Sequence, residues 1–137
     1  MKRGGWLRRR VGFGMATRRT KYNAKPVHDI ATGRSFDSKA EFARWTQLEL
    51  LQRAGHISDL VLHPKIVLIA KDGDKPEIAW HPDYQYTESG RTVWEDSKAR
   101  PQDARETLLF KLWRHRGPGL LRITGTGGKL TKEIRGA

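Results

Sequence analysis

The sequence predicts an α/β or α+β domain: a central mixed sheet containing an antiparallel hairpin and flanked by helices. Three features of the 137 residues carry that expectation. Two segments of helical period each bear start and stop signals. Between and after them lie short runs rich in β-branched and aromatic residues. The resulting order of helix, two or three antiparallel strands, helix and strand suits a sheet covered by helices. The length is enough for one domain with a real core and too short to expect two.

Residues 1–26 mix Gly, Arg and single apolar residues without period, and we expect a flexible basic arm that orders on a partner. In "FDSKAEFARWTQLELLQRAG", Ser38 with Glu41 three residues later forms a capping-box pattern, and Gly55 stands where a left-handed cap belongs. That predicts a helix of roughly four turns. Glu41, Trp45, Leu48 and Gln52 share its inward stripe, with Phe42 and Leu51 beside it.

"LVLHPKIVLIA" reads as a strand interrupted near Pro64, and "KDGDK" as a turn. "EIAWHPDYQYT" and "TVWEDSKA" read as two strands joined by the four-residue loop "ESGR". "PQDARETLLFKLWRHRGPG" predicts a second helix with Pro101 at its first position and Gly117 at its end. Ala104, Leu108, Leu109, Leu112 and Trp113 form its apolar side, and Arg105, Lys111, Arg114, His115 and Arg116 a basic side or end. "LLRIT" is the expected last strand and "GTGGKLTKEIRGA" a polar tail. The domain then spans 27–125, with a tail at 126–137.

The charge is strongly positive and unevenly placed. Lys and Arg number 27 against 15 Asp and Glu, a formal +12. Nine of the 27 lie in residues 1–26, which hold no acid, leaving 18 basic and 15 acidic groups elsewhere. A nucleic acid explains such an arm, because cations set against phosphates release condensed counterions. An anionic membrane surface is the weaker alternative. The absence of cysteine excludes disulfides, thiolate zinc sites and a cysteine nucleophile, and suits a reducing cytosol. No apolar run reaches transmembrane length. The expectation is a soluble intracellular protein, with an Arg-rich organellar presequence as the minor alternative.

The hairpin "HPDYQYTESGRTVWEDSKAR" carries the chemistry. With Glu88 to Arg91 as loop, Thr87 pairs with Thr92, Tyr86 with Val93, Gln85 with Trp94 and Tyr84 with Glu95, which sets Asp83 against Asp96. Opposed like charges destabilise a strand pair unless a cation lies between them. Lys98 shares the face of Asp96, and Glu41 joins them if its helix packs on that same face. Oxygen donors without sulfur suit Mg2+ or Mn2+. Such an ion holds a phosphate oxygen and activates water, so phosphodiester hydrolysis is the implied chemistry. The bland alternatives are a solvated strand end, since acid-x-Lys triplets are common, and a purely capping Glu41.

The ordered set resembles the PD-(D/E)XK nucleases, with "PD" at Pro82 and Asp83 and "DSK" at Asp96, Ser97 and Lys98. "KYNAKPV", "GRSFDSKAEFARWTQLELLQRAGHISDLVLHPKIVL", "PDYQY" and "VWEDSKA" look like a small phage and prophage family of nuclease-like proteins, over roughly Lys21 to Trp113. The pattern is also similar to the phage junction-resolving endonuclease I group. The resemblance implies a restriction-endonuclease-like core and dependence on Mg2+ or Mn2+. It implies Asp83 and Asp96 as metal ligands, Glu41 as a further ligand directly or through water, and Lys98 as the water-orienting residue. It also implies, less specifically, a homodimer acting on branched or Holliday-junction DNA in a host cytoplasm. Members of the superfamily also cut or nick linear duplexes.

Two acids stand in "EDSK", but only Asp96 has the offset from Lys98, so Glu95 takes a secondary role as a solvated or salt-bridged neighbour. His81, two residues from Asp83 and hence on the same strand face, is a further candidate for contact with metal or phosphate. His28, His56, His63 and His115 lack metal-ligand spacing. Trp80 and Trp94 suit packing better than base stacking. The expected DNA contacts are Arg8, Arg9, Arg10, Arg18, Arg19, Lys21, Lys25, Arg105, Lys111 and Arg114. The rival class is a non-catalytic DNA-binding protein with a structural or degenerate acidic cluster, and an RNA partner is a third alternative, because phosphate contacts carry no sugar information.

Deleting residues 1–20 is expected to weaken DNA binding and flatten its dependence on salt. A salt titration with an unchanged slope would show that the arm does not touch DNA.

Overall fold

A computed structural model describes residues 25–98 and 102–137. Of the expected arm, residues 1–24 lie outside the described residues, and with them Arg8, Arg9, Arg10, Arg18, Arg19 and Lys21. The chain divides into two compact units, one ending at Lys39 and the other running Ala40–Ala137. In the first, β1 (Val27–Asp29) and β2 (Arg34–Phe36) form an antiparallel hairpin. The Asp29 carboxylate accepts from Thr32 Oγ1 at 2.6 Å and Ala31 N at 3.2 Å, which closes its turn.

The second unit is a five-stranded mixed sheet with a helix on each face. Helix α1 (Lys39–Arg53) ends as the glycine predicts. Gly55 takes φ 82°, and paired bonds from Gly55 N to Gln52 O and His56 N to Leu51 O, each 3.0 Å, complete a Schellman motif. Glu41, Trp45 and Leu48 of its inward stripe are buried, while Gln52 at the stripe's end is exposed and accepts the Leu60 N–H.

The interrupted strand becomes β3 (Ser58–Leu62) and β4 (Ile66–Ile69). The run "EIAWHPDYQYT" is not one strand: it splits at His81–Asp83 into β5 (Ile78–Trp80) and β6 (Tyr84–Glu88). Pro82 has no N–H for a ladder, so the chain can leave one partner and join another there. Accordingly β5 pairs with β4 in a separate ribbon, and β6 enters the main sheet.

Strands β6 and β7 (Arg91–Ser97) pair in the expected register from Tyr84 with Glu95 to Thr87 with Thr92. The ladder extends one pair further, to Glu88 with Arg91, so the loop is two residues, not four. Ser89 and Gly90 both have positive φ, 51° and 77°, the sense of turn that matches the strands' twist.

Helix α2 (Ala104–Arg116) begins later than the reading at Pro101, which lies outside the described residues. Its N-cap is Asp103, and Asp103 and Glu106 form a complete capping box. The buried face is Glu106, Leu109, Phe110 and Trp113; Leu108 and Ala104, expected inside, are exposed. The expected stripe was misplaced because the polar Glu106 holds an inward position. Strand β8 (Leu120–Thr124) runs parallel to β7, as a crossover through α2 requires.

The expected polar tail is a further strand. β9 (Leu130–Arg135) lies antiparallel to β8 at the sheet edge and buries Ile134, so this unit does not end at residue 125. One face of an edge strand meets solvent, which gives it the polar composition of a tail. The intervening turn needs its glycines: Gly127 and Gly128 have φ 71° and 80°, and a Cβ on Gly128 would stand 2.6 Å from Arg44 Nη1.

The sheet order is β3-β6-β7-β8-β9. On the α1 face Trp45 stacks on Tyr84, with centroids 6.3 Å apart. On the α2 face Trp80 and Trp94 pack edge-on against Trp113, at 5.9 and 5.4 Å, within a core that includes Leu68, Phe110, Leu121, Ile123 and Ile134. Both tryptophans thus pack as expected. Among the described residues, no helix is long and apolar enough to cross a membrane.

Ile134→Ala should cost roughly 2–4 kcal/mol in urea unfolding, as for a buried aliphatic side chain. A solvated tail would show no loss.

Candidate metal centre

The acidic residues meet at one end of the sheet, where β3 and β7 finish and β6 begins. Asp83 immediately precedes β6, and its Oδ2 accepts the Ser97 N–H of β7 at 2.8 Å. It lies one step past the end of the ladder, beside Asp96 rather than across a ladder pair from it. The two remain near enough that Asp96 raises the pKa of Asp83.

Helix α1 packs on the face that carries Tyr84 and Glu95, opposite to that of Trp94 and Asp96, contrary to the shared face that the site was expected to need. Glu41 reaches Asp83 all the same, because Asp83 sits beyond the strand where neither face screens it. Tyr84 anchors the approach: its buried hydroxyl donates to the Glu41 carbonyl at 2.7 Å.

His63 completes this group and was missed. Glu41, His63 and Asp83 each present one ligand atom, all within 4.8 Å of one another. His63 Nε2 lies 3.1 Å from Glu41 Oε1, and the His63 N–H donates to the Asp83 carbonyl at 2.9 Å. Its φ of 52° is left-handed, a costly conformation for a non-glycine residue and one that accumulates at functional sites. Linear spacing conceals it, since it comes from the β3–β4 connection, 20 residues before Asp83; Pro64 directly after it was the only local cue. His81 is exposed and outside the group. The break in the strand at Pro82 cancels the alternation that placed it beside Asp83.

On the α2 face, Asp96 Oδ2 lies 2.6 Å from Lys98 Nζ, and the same ammonium lies 2.8 Å from Glu106 Oε2. Burial works against the charge on Lys98, but Asp96 and Glu106 outweigh it and raise its pKa, so Lys98 is held as a cation and not as a base. Glu106 was not anticipated, because a helix started at Pro101 puts it inside the helix as a polar residue off the expected apolar side.

Burial is also the main influence on the acids. It raises the pKa of Asp83 well above the usual carboxylate range, with Asp96 and Glu41 adding to the rise and the Ser97 N–H and Lys98 opposing it. Asp96 is raised as well, by burial against the pull of Lys98. A group of carboxylates and an imidazole whose negative charge is poorly tolerated fits a divalent cation. Oxygen donors with one nitrogen suit Mg2+ or Mn2+, with the imidazole weighing toward Mn2+.

Glu95 is a structural residue. It is fully buried, its two oxygens take Arg44 Nε at 2.6 Å and Nη2 at 2.9 Å, and Tyr86 donates to it at 2.7 Å. It is salt-bridged, as one of the two expected roles has it, but on the α1 face, away from Asp96. Of the expected DNA contacts, Lys25, Arg105, Lys111 and Arg114 are exposed.

A carboxyl whose pKa is raised by folding opposes stability once pH climbs above its unfolded value, and the cost is full above its folded value. Asp83→Asn keeps an acceptor for the Ser97 N–H and removes the charge. Its metal-free melting temperature in chelator should therefore rise above wild type at pH 8, and the gain should shrink as pH falls toward 4. A lower melting temperature throughout would contradict the crowding.

No curated protein and no solved structure matches the chain. One family model does, over residues 19–116, a span that holds Glu41, His63, Asp83, Asp96, Lys98 and Glu106. The chain therefore belongs to the family described as Protein of unknown function (DUF1064).

Proposed function

We propose that this protein is a divalent-metal-dependent DNA endonuclease that hydrolyses phosphodiester bonds. The observation that carries the reading is the convergence of Glu41, His63 and Asp83 within 4.8 Å, next to Asp96 and a cationic Lys98, at one end of the sheet. The order helix, three sheet strands, helix, two sheet strands around "PD" and "DSK" supports it, as does the formal charge of +12.

Glu41, His63 and Asp83 would hold Mg2+ or Mn2+, with Asp96 as a further ligand. The bound ion supplies Lewis acidity toward a phosphate oxygen and a water of lowered pKa. Lys98, a fixed ammonium, offsets the charge that grows on the phosphate oxygens as the water adds. The exposed Arg105, Lys111 and Arg114 of α2, with the basic N-terminal residues, hold the backbone phosphates of the substrate. Branched or Holliday-junction DNA is the substrate form that the likeness to junction-resolving enzymes favours, with a homodimer acting in the cytoplasm of a host cell.

The test is cleavage of labelled four-way junction, flap, single-stranded and linear duplex DNA with Mg2+, Mn2+ or chelator. Metal-dependent cutting that is abolished in both Asp83→Ala and Asp96→Ala, with DNA binding retained, is the expected result. Cutting of the junction alone would identify a resolvase, and cutting of linear duplex a general nuclease or nickase. Tight binding in chelator with no cutting in any metal would leave a non-catalytic DNA-binding protein.

A further inference from the structure

Glu106 does two things with one carboxylate. Its Oε1 accepts the Asp103 N–H at 3.1 Å and closes the capping box of α2. Its Oε2 lies 2.8 Å from Lys98 Nζ. The side chain is 5 % exposed, at the inward start of the helix, where a cap alone needs no burial.

Lys98 has four rotatable side-chain bonds and sits just past the end of β7, where only its backbone N–H, donated to the Thr124 carbonyl at 2.7 Å, continues the ladder. Its ammonium is placed by two carboxylates. One of them, Asp96, is itself a candidate metal ligand, so its orientation is not free to serve Lys98. Glu106 has its carboxylate tied to a helix terminus, because its Oε1 accepts the Asp103 backbone N–H at 3.1 Å. It is the anchor that does not belong to the centre.

We infer that Glu106 is a positioning residue: by sharing its carboxylate between the α2 cap and the Lys98 ammonium, it fixes that cation beside Asp96 for the phosphate substrate. The inference rests on the nuclease reading for its catalytic consequence and on geometry alone for the positioning. The rigid start of α2 thereby carries an element of the site's order, because a displaced ammonium leaves the phosphate charge unopposed.

Two variants separate the roles. Glu106→Gln retains an amide oxygen for the Asp103 N–H but loses the ion pair. Asp103→Ala removes the other half of the box while the backbone N–H of residue 103, and with it the hold on Glu106, persists. The readouts are single-turnover cleavage at saturating DNA and Mn2+, DNA affinity in chelator, melting temperature, and the 15Nζ–H signal of the Lys98 ammonium, assigned with Lys98→Arg. Such a signal is resolved when the ammonium is held.

Glu106→Gln should slow cleavage roughly 10–100-fold, as for residues that orient others at a metal site, with DNA affinity unchanged and the ammonium signal lost. Asp103→Ala should lower the melting temperature by about 3–4 °C and keep both rate and signal. Equal slowing in the two variants, or full rate and a retained signal in Glu106→Gln, would reduce Glu106 to a helix cap and overturn the inference. If wild type cuts no DNA with any metal, the nuclease reading fails. The ammonium signal then decides the positioning separately: lost in Glu106→Gln it stands, retained it falls.

Discussion

The register of the β6–β7 hairpin governs everything else in the second unit, and it is set by two residues, Ser89 and Gly90, in left-handed conformations. Side chains alternate along a strand, so a slip of one residue would exchange Glu95 with Asp96 across the sheet. Glu95 would then lose Arg44 and Tyr86, and Asp96 would lose Lys98. Two buried charges would be stranded at once, each at a cost of several kcal/mol. The correct register instead gives each carboxylate its own cation: Arg44 for Glu95 on one face, Lys98 for Asp96 on the other.

That separation confines the electrostatic strain to one place. Glu95 and Arg44 neutralise each other inside a hydrogen-bonded network. Asp83 is different: burial raises its pKa, and its neighbours Asp96 and Glu41 raise it further. The aromatic core of Trp80, Trp94, Phe110 and Trp113 lies on the α2 face and offsets the cost of holding such a group folded. The acids thus form a region of crowded, buried negative charge, an arrangement that a bound cation would relieve.

The centre lies where the parallel strands β7 and β8 end, and where both helices begin. In open α/β sheets ligands bind outside the carboxyl ends of the strands, since side chains from both layers reach that rim. Here α1 brings Glu41 from one face and α2 brings Glu106 from the other, while Asp83, beyond the first ladder pair of β6, is open to both. The N-termini of the two helices also direct their partial positive charge toward this rim, which favours anions nearby.

Local signals settled much of this in the sequence itself. The capping pattern, the glycines and the period-2 runs determined α1, the hairpin and its register to Tyr84 with Glu95, because each depends on residues near in sequence. The same signals brought Asp83, Asp96 and Lys98 to one end and kept Trp80 and Trp94 in the core. Tertiary structure alone decided the rest. Whether "GTGGKLTKEIRGA" is a tail or an edge strand depends on β8 being there to pair with it. Whether His81 or His63 joins the acids depends on where Pro82 breaks the strand and on the return of β3 alongside β6. And Glu106 carries no signal in the sequence until Lys98, eight residues earlier, is placed against its Oε2, a contact that only the packing of α2 on the sheet brings about.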